Sequence, residues 1–165
     1  MNAVVRTDKM FATDNRAGLV SVRYQPGDTM TAIDNGNVVK IGALEEGSRE
    51  VYKGVTPAAD DAIKDIVLIA SPEVMYDERK RNLDEFQNAE GAIARGYHLH
   101  TNDIFSVTVE ALTCAATPEV GDVVELDAGT KLKVVASATE GSTVVGSIID
   151  INVVGRHSYY VIQVA

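Results

Sequence analysis

The C-terminal part of the chain, residues 96–165, consists of short runs rich in Val, Ile, Thr and Tyr that are separated by segments holding Gly, Pro, Asn and Asp. This spacing is typical of consecutive antiparallel strands in a small barrel or sandwich. The apolar residues also alternate, because Phe105, Val107 and Val109 fall on one face of residues 104–110. A helical period would scatter these side chains around a helix. The pattern therefore predicts a mainly β, antiparallel barrel or sandwich.

The last two runs, residues 144–154 and 159–164, carry apolar residues on both faces of the predicted strands. Strands of this kind are buried on both faces. The second face is covered either by the N-terminal half of the chain or by another protein, and the sequence leaves both possibilities open.

The N-terminal half repeats this organisation. Strands are predicted at residues 19–24, 37–42 and 49–53, and the compact apolar run at 66–70 predicts a central strand. The Asn35-Gly36 pair predicts a hairpin turn that joins residues 29–33 to the strand at 37–42, since Asn-Gly is a strong hairpin signal.

One short surface helix is predicted near Pro72–Asn88. Ser71 is a suitable N-cap, Pro72 a suitable first helical residue, and Glu73 an acid in the first turn. Further along, apolar and long side chains recur near one helical face: Met75, Arg79, Leu83 and Phe86.

Residues 1–17 mix single hydrophobic residues with charges and sustain no period, so they are predicted to be an N-terminal arm or a frayed terminus. Residues 18–165 are predicted to be a single β-rich domain. The alternative is two lobes, 18–70 and 92–165. We favour one body because no flexible Gly/Ser linker separates the halves.

The composition limits the classes of partner. A chain of 165 residues can form one ordinary core, and its formal net charge of −9 argues against sequence-independent binding to nucleic acid or an anionic membrane. Nothing at the N-terminus has the apolar core of a secretory signal, so we expect synthesis in the cytoplasm.

The residues that could carry chemistry form one weak candidate site. His98 and His100 would point the same way on a strand. With Asp103, and with His157 if the fold brings it near, they could hold a metal in a small metal-dependent β-barrel enzyme. Because His-x-His pairs are common and a catalytic site needs a further well-placed ligand, we predict no metal site here. The single cysteine, Cys114, is expected to be a small buried hydrophobic residue.

The other candidates are carboxylates without a fixed catalytic spacing, and no nucleotide-binding or hydrolase motif is present. The sequence therefore predicts a protein that is not an enzyme, with no catalytic, cofactor-binding or metal residues. The scattered carboxylates are Asp60, Asp61, Asp84, Glu85, Asp122, Glu125 and Asp127.

Five strings cover most of the chain: NGNVVKIGALEEGSREVY (35–52), ASPEVMYDERKRNLDEF (70–86), ARGYHLHTNDIFSVTVEAL (94–112), VGDVVELDAGTKLKVV (120–135) and VVGRHSYYVIQV (153–164). Together they resemble small structural proteins encoded in the head-gene clusters of tailed bacteriophages and prophages. The resemblance rests on overall similarity, and no diagnostic residue set carries it.

The resemblance implies a capsid auxiliary (head decoration) protein that binds the outside of the shell and stabilises the major capsid protein lattice. It implies a β-rich virion protein that needs no cofactor. The implied partner is the major capsid protein, and a second candidate partner is another copy of the protein itself on the capsid surface. The alternatives are a tail or baseplate component and the metal-dependent enzyme that uses His98 and His100. Monomer, dimer and trimer all remain compatible.

Overall fold

A computed structural model describes residues 1–77 and 79–165 of the chain. The fold is mainly β with one short helix, as predicted. In chain order, the elements are β1 (Val5–Lys9), α1 (Phe11–Asp14), β2 (Leu19–Tyr24), β3 (Val38–Leu44), β4 (Val51–Val55), β5 (Ile66–Ile69), β6 (Ala94–His98), β7 (Ile104–Thr108), β8 (Leu112–Cys114), β9 (Val123–Glu125), β10 (Leu132–Val135), β11 (Val144–Val154) and β12 (His157–Val164).

Strands β2 to β6 form a closed barrel in the order β2-β4-β3-β5-β6. The β2–β4 pair is parallel and the other pairs are antiparallel. The interior is narrow: a Cβ atom on Gly54 would lie 2.5 Å from Cγ1 of Val22. The barrel is therefore filled by small side chains: Val22, Val39, Val67, Ile69, Ala94 and the adjoining Ile33.

The remaining strands form a seven-stranded sheet in the order β1-β7-β12-β11-β9-β10-β8. Its pairs are antiparallel except β8–β10. Of the two final strands that we predicted to be buried on both faces, β12 is buried from Tyr159 to Ile162, whereas β11 is exposed at Val153 and Val154. A bulge at Ile149 shifts the register of β11 against β12, so the alternation expected from the sequence does not continue along the strand.

A shared core joins the barrel to the seven-stranded sheet. The four residues of β5 are all buried because they alternate between two environments. Val67 and Ile69 belong to the barrel interior, whereas Ile66 and Leu68 belong to the cluster that contains Phe105 of β7. Strand β6 belongs to the barrel, and the chain enters the sheet only at β7. The two-lobe alternative, which divides the chain between residues 70 and 92, would therefore separate β6 from the rest of the barrel.

The segment that we predicted to be an N-terminal arm belongs to the seven-stranded sheet. β1 pairs antiparallel with β7, with Val5 opposite Val107. Ala3, Val4 and Met10 are buried. Strand β1 and its partner β7 lie about a hundred residues apart in the chain, which explains why no local period marks β1 in the sequence.

The predicted helix at Pro72–Asn88 is misplaced. Of its residues, Glu78 lies outside the described part of the chain; the others are irregular except for a 3₁₀ turn at Leu83–Glu85. A surface helix needs an apolar stripe to bury, but here Val74, Tyr76 and Leu83 are exposed. The helix of the fold is α1 instead. Among the described residues, no helix has the length and apolar content that a bilayer crossing requires.

The predicted turn at Asn35-Gly36 exists, and Gly36 has a φ of +83°, but it does not close a hairpin. Ile33 forms an isolated bridge with Asn88, and β3 pairs with β4 and β5. The side chain of Asn35 explains the difference: its Nδ2 donates to the carbonyl of Ser71 at 2.8 Å, and its Oδ1 accepts from the N–H of Ser71 at 3.0 Å. The turn is thus built to hold the segment after β5.

Replacing Asn35 with Ala is expected to lower the free energy of unfolding by about 2 kcal/mol, because buried groups of Ser71 and Asn88 lose their partner. Urea denaturation checks this, with Asn152→Ala at an exposed position of β11 as the control. In Asn35→Ala, the backbone N–H of Ser71 should be the first to show faster hydrogen exchange. Unchanged stability would show that water replaces the Asn35 contacts.

Candidate functional site

Of the four residues of the predicted alternative metal site, His98, His100 and Asp103 lie around the β6–β7 turn and His157 lies elsewhere. His98, at the end of β6, is half-buried and His100 is exposed, with buried Leu99 between them. Both carboxylate oxygens of Asp103 are engaged by the backbone: they accept from the N–H of Phe11 at 2.7 Å and from the N–H of His100 at 2.9 Å. Asp103 therefore fixes the β6–β7 turn against α1.

His157 lies at the opposite end of β12 from this turn. Gln163 of β12 pairs with Ile104, next to Asp103, and His157 is six residues further along the strand. At the usual rise of a strand, this places it about 20 Å away. In the described part of the chain, no group of three His, Cys, Asp or Glu side chains is placed to hold a metal ion.

The burial of His98 should make the stability of the protein depend on pH. Burial, followed by the nearby charge of His100, lowers its pKa below the ordinary 6.5. The unfolded chain therefore takes up this proton more readily than the folded protein, and stability should fall as the pH drops below 6.5 and through the lowered pKa. Denaturant curves between about pH 7.5 and 5.5 check this. His98→Gln should reduce the pH dependence and His100→Gln should retain it; equal slopes in all three proteins would contradict it.

The carboxylates singled out in the sequence mainly hold the fold. Asp61 pairs with Lys40 at 2.5 Å, Asp84 with Arg156 at 2.5 Å, and Glu125 with Lys133 at 2.9 Å. Cys114 packs against the edge of the shared core and is partly exposed.

Glu125 shows how such a group is stabilised. Its side chain is fully buried, which alone would raise the pKa. The N–H of Thr139, which donates at 2.9 Å, and the ammonium of Lys133 outweigh the burial and hold the pKa of Glu125 below its ordinary value. This group therefore ties the loop after β10 to β9.

A groove of about 840 Å³ lies on the wall of the barrel. We call it the groove below. It is lined by residues 19–21 of β2, by residues 71, 72, 74 and 76 after β5, and by residues 86–89 and 92–95 before and within β6. Its lining is mainly apolar, which is typical of binding sites.

Three apolar side chains at the groove project into solvent: Tyr76 is 95% exposed, Val74 60% and Ile93 52%. We call them the exposed patch. A Tyr ring that is almost wholly in water has no packing role within the chain, and grouped exposed apolar residues mark interaction sites.

The segment that carries Val74 and Tyr76 is anchored at both ends. Ser71 is held by Asn35, and the backbone of Asn88 exchanges hydrogen bonds of 3.0 Å with Ile33 in both directions. These two residues of the patch are thus presented between two points fixed to the barrel, which limits the entropy lost on binding.

The patch does not stand out in the sequence, because Val74 and Tyr76 lie within the helix predicted at Pro72–Asn88. The signal that could have found it is the sequence Val74-Met75-Tyr76, apolar residues without a helical or strand partner beside a cluster of charges. Comparison with family models, with curated proteins and with solved structures finds no match to this chain.

Proposed function

We propose that this chain is a non-enzymatic virion structural protein that binds the outside of a phage capsid and stabilises the lattice of the major capsid protein. The observation that carries the proposal is the exposed patch of Val74, Tyr76 and Ile93 beside the groove. The resemblance of the five sequence strings to head-cluster structural proteins supplies the identity of the partner.

The chemistry of the exposed patch suits a protein partner. Tyr is enriched among the residues that dominate binding energy, because it contributes a large apolar area and a hydroxyl at little entropic cost. The surrounding protein is acidic, with a net charge of −9, which opposes contact with the packaged genome.

Binding of this kind would stabilise a shell by mass action. A protein that binds the assembled lattice and not free subunits adds its binding free energy to the assembled state. Because a shell repeats the same site by symmetry, modest affinity at each site gives a large total stabilisation.

Co-sedimentation tests the proposal. The purified protein is mixed with shells assembled from a phage major capsid protein, before and after expansion. We expect saturable binding to expanded shells and a higher temperature of shell disruption. Absence of co-sedimentation at micromolar protein would overturn the proposal; binding to purified tails instead would support a tail or baseplate component.

A further inference from the structure

A second concave feature, which we call the slot, lies beside the groove and has a volume of about 350 Å³. It is lined by four consecutive residues of β1, Val5 to Asp8, and by residues 70–73, which follow β5. Arg95 and Tyr97 of β6 complete the lining. Strand β1 and the segment after β5 therefore border the same cavity.

Strand β1 presents a free edge, because it is the outermost strand of the seven-stranded sheet. The N–H of Thr108 donates to the carbonyl of Val4 at 2.9 Å, so the backbone of Val4 faces β7. By alternation the backbone of Arg6 also faces β7, and the N–H and C=O groups of Val5, which lies between them, face away from β7 toward the slot. The register of β1 shifts between Arg6 and Lys9, so Thr7 and Asp8 have no partner on β7. Such a row of groups is a template for an added strand.

The segment after β5 does not complete the sheet. The N–H and C=O groups of Ser71 both bond to the side chain of Asn35, and Pro72 has no N–H to donate. Since residues 70–73 line the slot beside β1 and its volume is about 350 Å³, one extended segment suits it better than the edge of another folded sheet.

The side chains indicate what that segment carries. Tyr97, Val5 and Ala70 are almost wholly buried, so most of the surface that the slot presents to a segment is polar. Arg6 and Asp8 pair with each other at 3.1 Å. Among the described residues, the guanidinium of Arg95 makes no ion pair or hydrogen bond, so it is available to a carboxylate.

We propose that the β1 edge binds a single extended segment of the capsid protein by strand addition, with an acidic side chain of that segment against Arg95. The inference rests on the proposed function for the identity of the partner. Continuity between the two sites supports it, because Ser71, Pro72 and Arg95 line both the slot and the groove. A subunit that covers the exposed patch therefore lies within reach of the slot.

A peptide experiment tests the slot without capsids. The probe is a synthetic hexapeptide, acetyl-Thr-Val-Glu-Val-Thr-Val-amide, titrated into ¹⁵N-labelled protein. We expect amide shifts centred on Val5, Thr7 and Arg95, and about tenfold weaker binding when Lys replaces the Glu of the peptide. No shift at β1 with millimolar peptide, or shifts confined to another surface, would overturn the inference.

Substitutions sharpen the test. Thr7→Pro places a ring and no N–H in the part of β1 that lines the slot and should weaken peptide binding about tenfold, whereas Thr7→Val keeps the N–H and should bind normally. Arg95→Glu provides a second variant in case Thr7→Pro unfolds, and it should reverse the preference between the Glu and Lys peptides. Equal binding by a folded Thr7→Pro protein would contradict strand addition.

The same variants separate this inference from the proposed function. If wild-type protein sediments with expanded shells and Thr7→Pro and Arg95→Glu do so equally well, the slot is not the contact and the proposed function stands. If the peptide binds at β1 but the wild-type protein does not sediment with shells, the strand-addition site stands and its partner is not the capsid.

Discussion

Replacing Tyr76 with Asp is expected to weaken binding to expanded shells by a factor of about one hundred or more. The Tyr76 side chain is 95% exposed in the free protein, so its ring is available to be buried by a partner. An Asp side chain removes that apolar area and places a charge where the contact must lose water. The melting temperature should stay within about 2 °C of wild type, because surface substitutions without contacts cost little stability.

Val120 provides a matched control. It is an apolar residue that is 61% exposed in the turn before β9, and it lines neither the groove nor the slot. Val120→Asp should therefore bind shells as wild type does. Sedimentation titrations with the two variants measure the difference. Equal loss of binding in both would show that added negative charge, and not the exposed patch, controls the association.

Replacing Phe105 with Ala is expected to lower the free energy of unfolding by about 3–5 kcal/mol. Phe105 is fully buried in the shared core, in the same cluster as Ile66 and Leu68 of the barrel and Ile162 of the sheet. The cavity left by the ring would lie between the two sheets, so both should lose stability together. Denaturation followed by circular dichroism and by tyrosine fluorescence measures the effect.

Phe11 supplies the control, because its ring is 50% exposed and stacks edge-on against His100. Phe11→Ala should cost about 1 kcal/mol or less. Hydrogen exchange tests the coupling directly: in Phe105→Ala, amides of β5 and of β12 should gain exchange to a similar extent. Protection lost only in β7 and β12 would show that the barrel is stable independently of the sheet.

Local pattern was enough to find the strands. The apolar run at residues 66–70 predicts a central strand because no face of it can lie in water, and β5 (Ile66–Ile69) is buried on both sides. Pairing could not be predicted in the same way. The parallel pair of β2 and β4 and the place of β1 beside β7 depend on contacts between distant residues, which leave no local period.

The error at residues 72–88 has a physical cause. Ser71 and Pro72 satisfy the rules for a helix start, but Ser71 uses its N–H and C=O groups to bond Asn35. A tertiary hydrogen bond thus overrides a local preference that is worth only about 1 kcal/mol. The same error hid the exposed patch, since a helix would have accounted for the apolar side chains that the structure leaves in solvent.

The position of β1 has a consequence for synthesis. All five strands of the barrel lie between residues 19 and 98, so the barrel can close while later residues are still inside the ribosome. β1 is made first, yet its neighbour β7 begins at Ile104. Strand β1 must therefore wait, without its partner, until β7 has been translated, and during that interval it is open to chaperones and to premature association with other nascent chains.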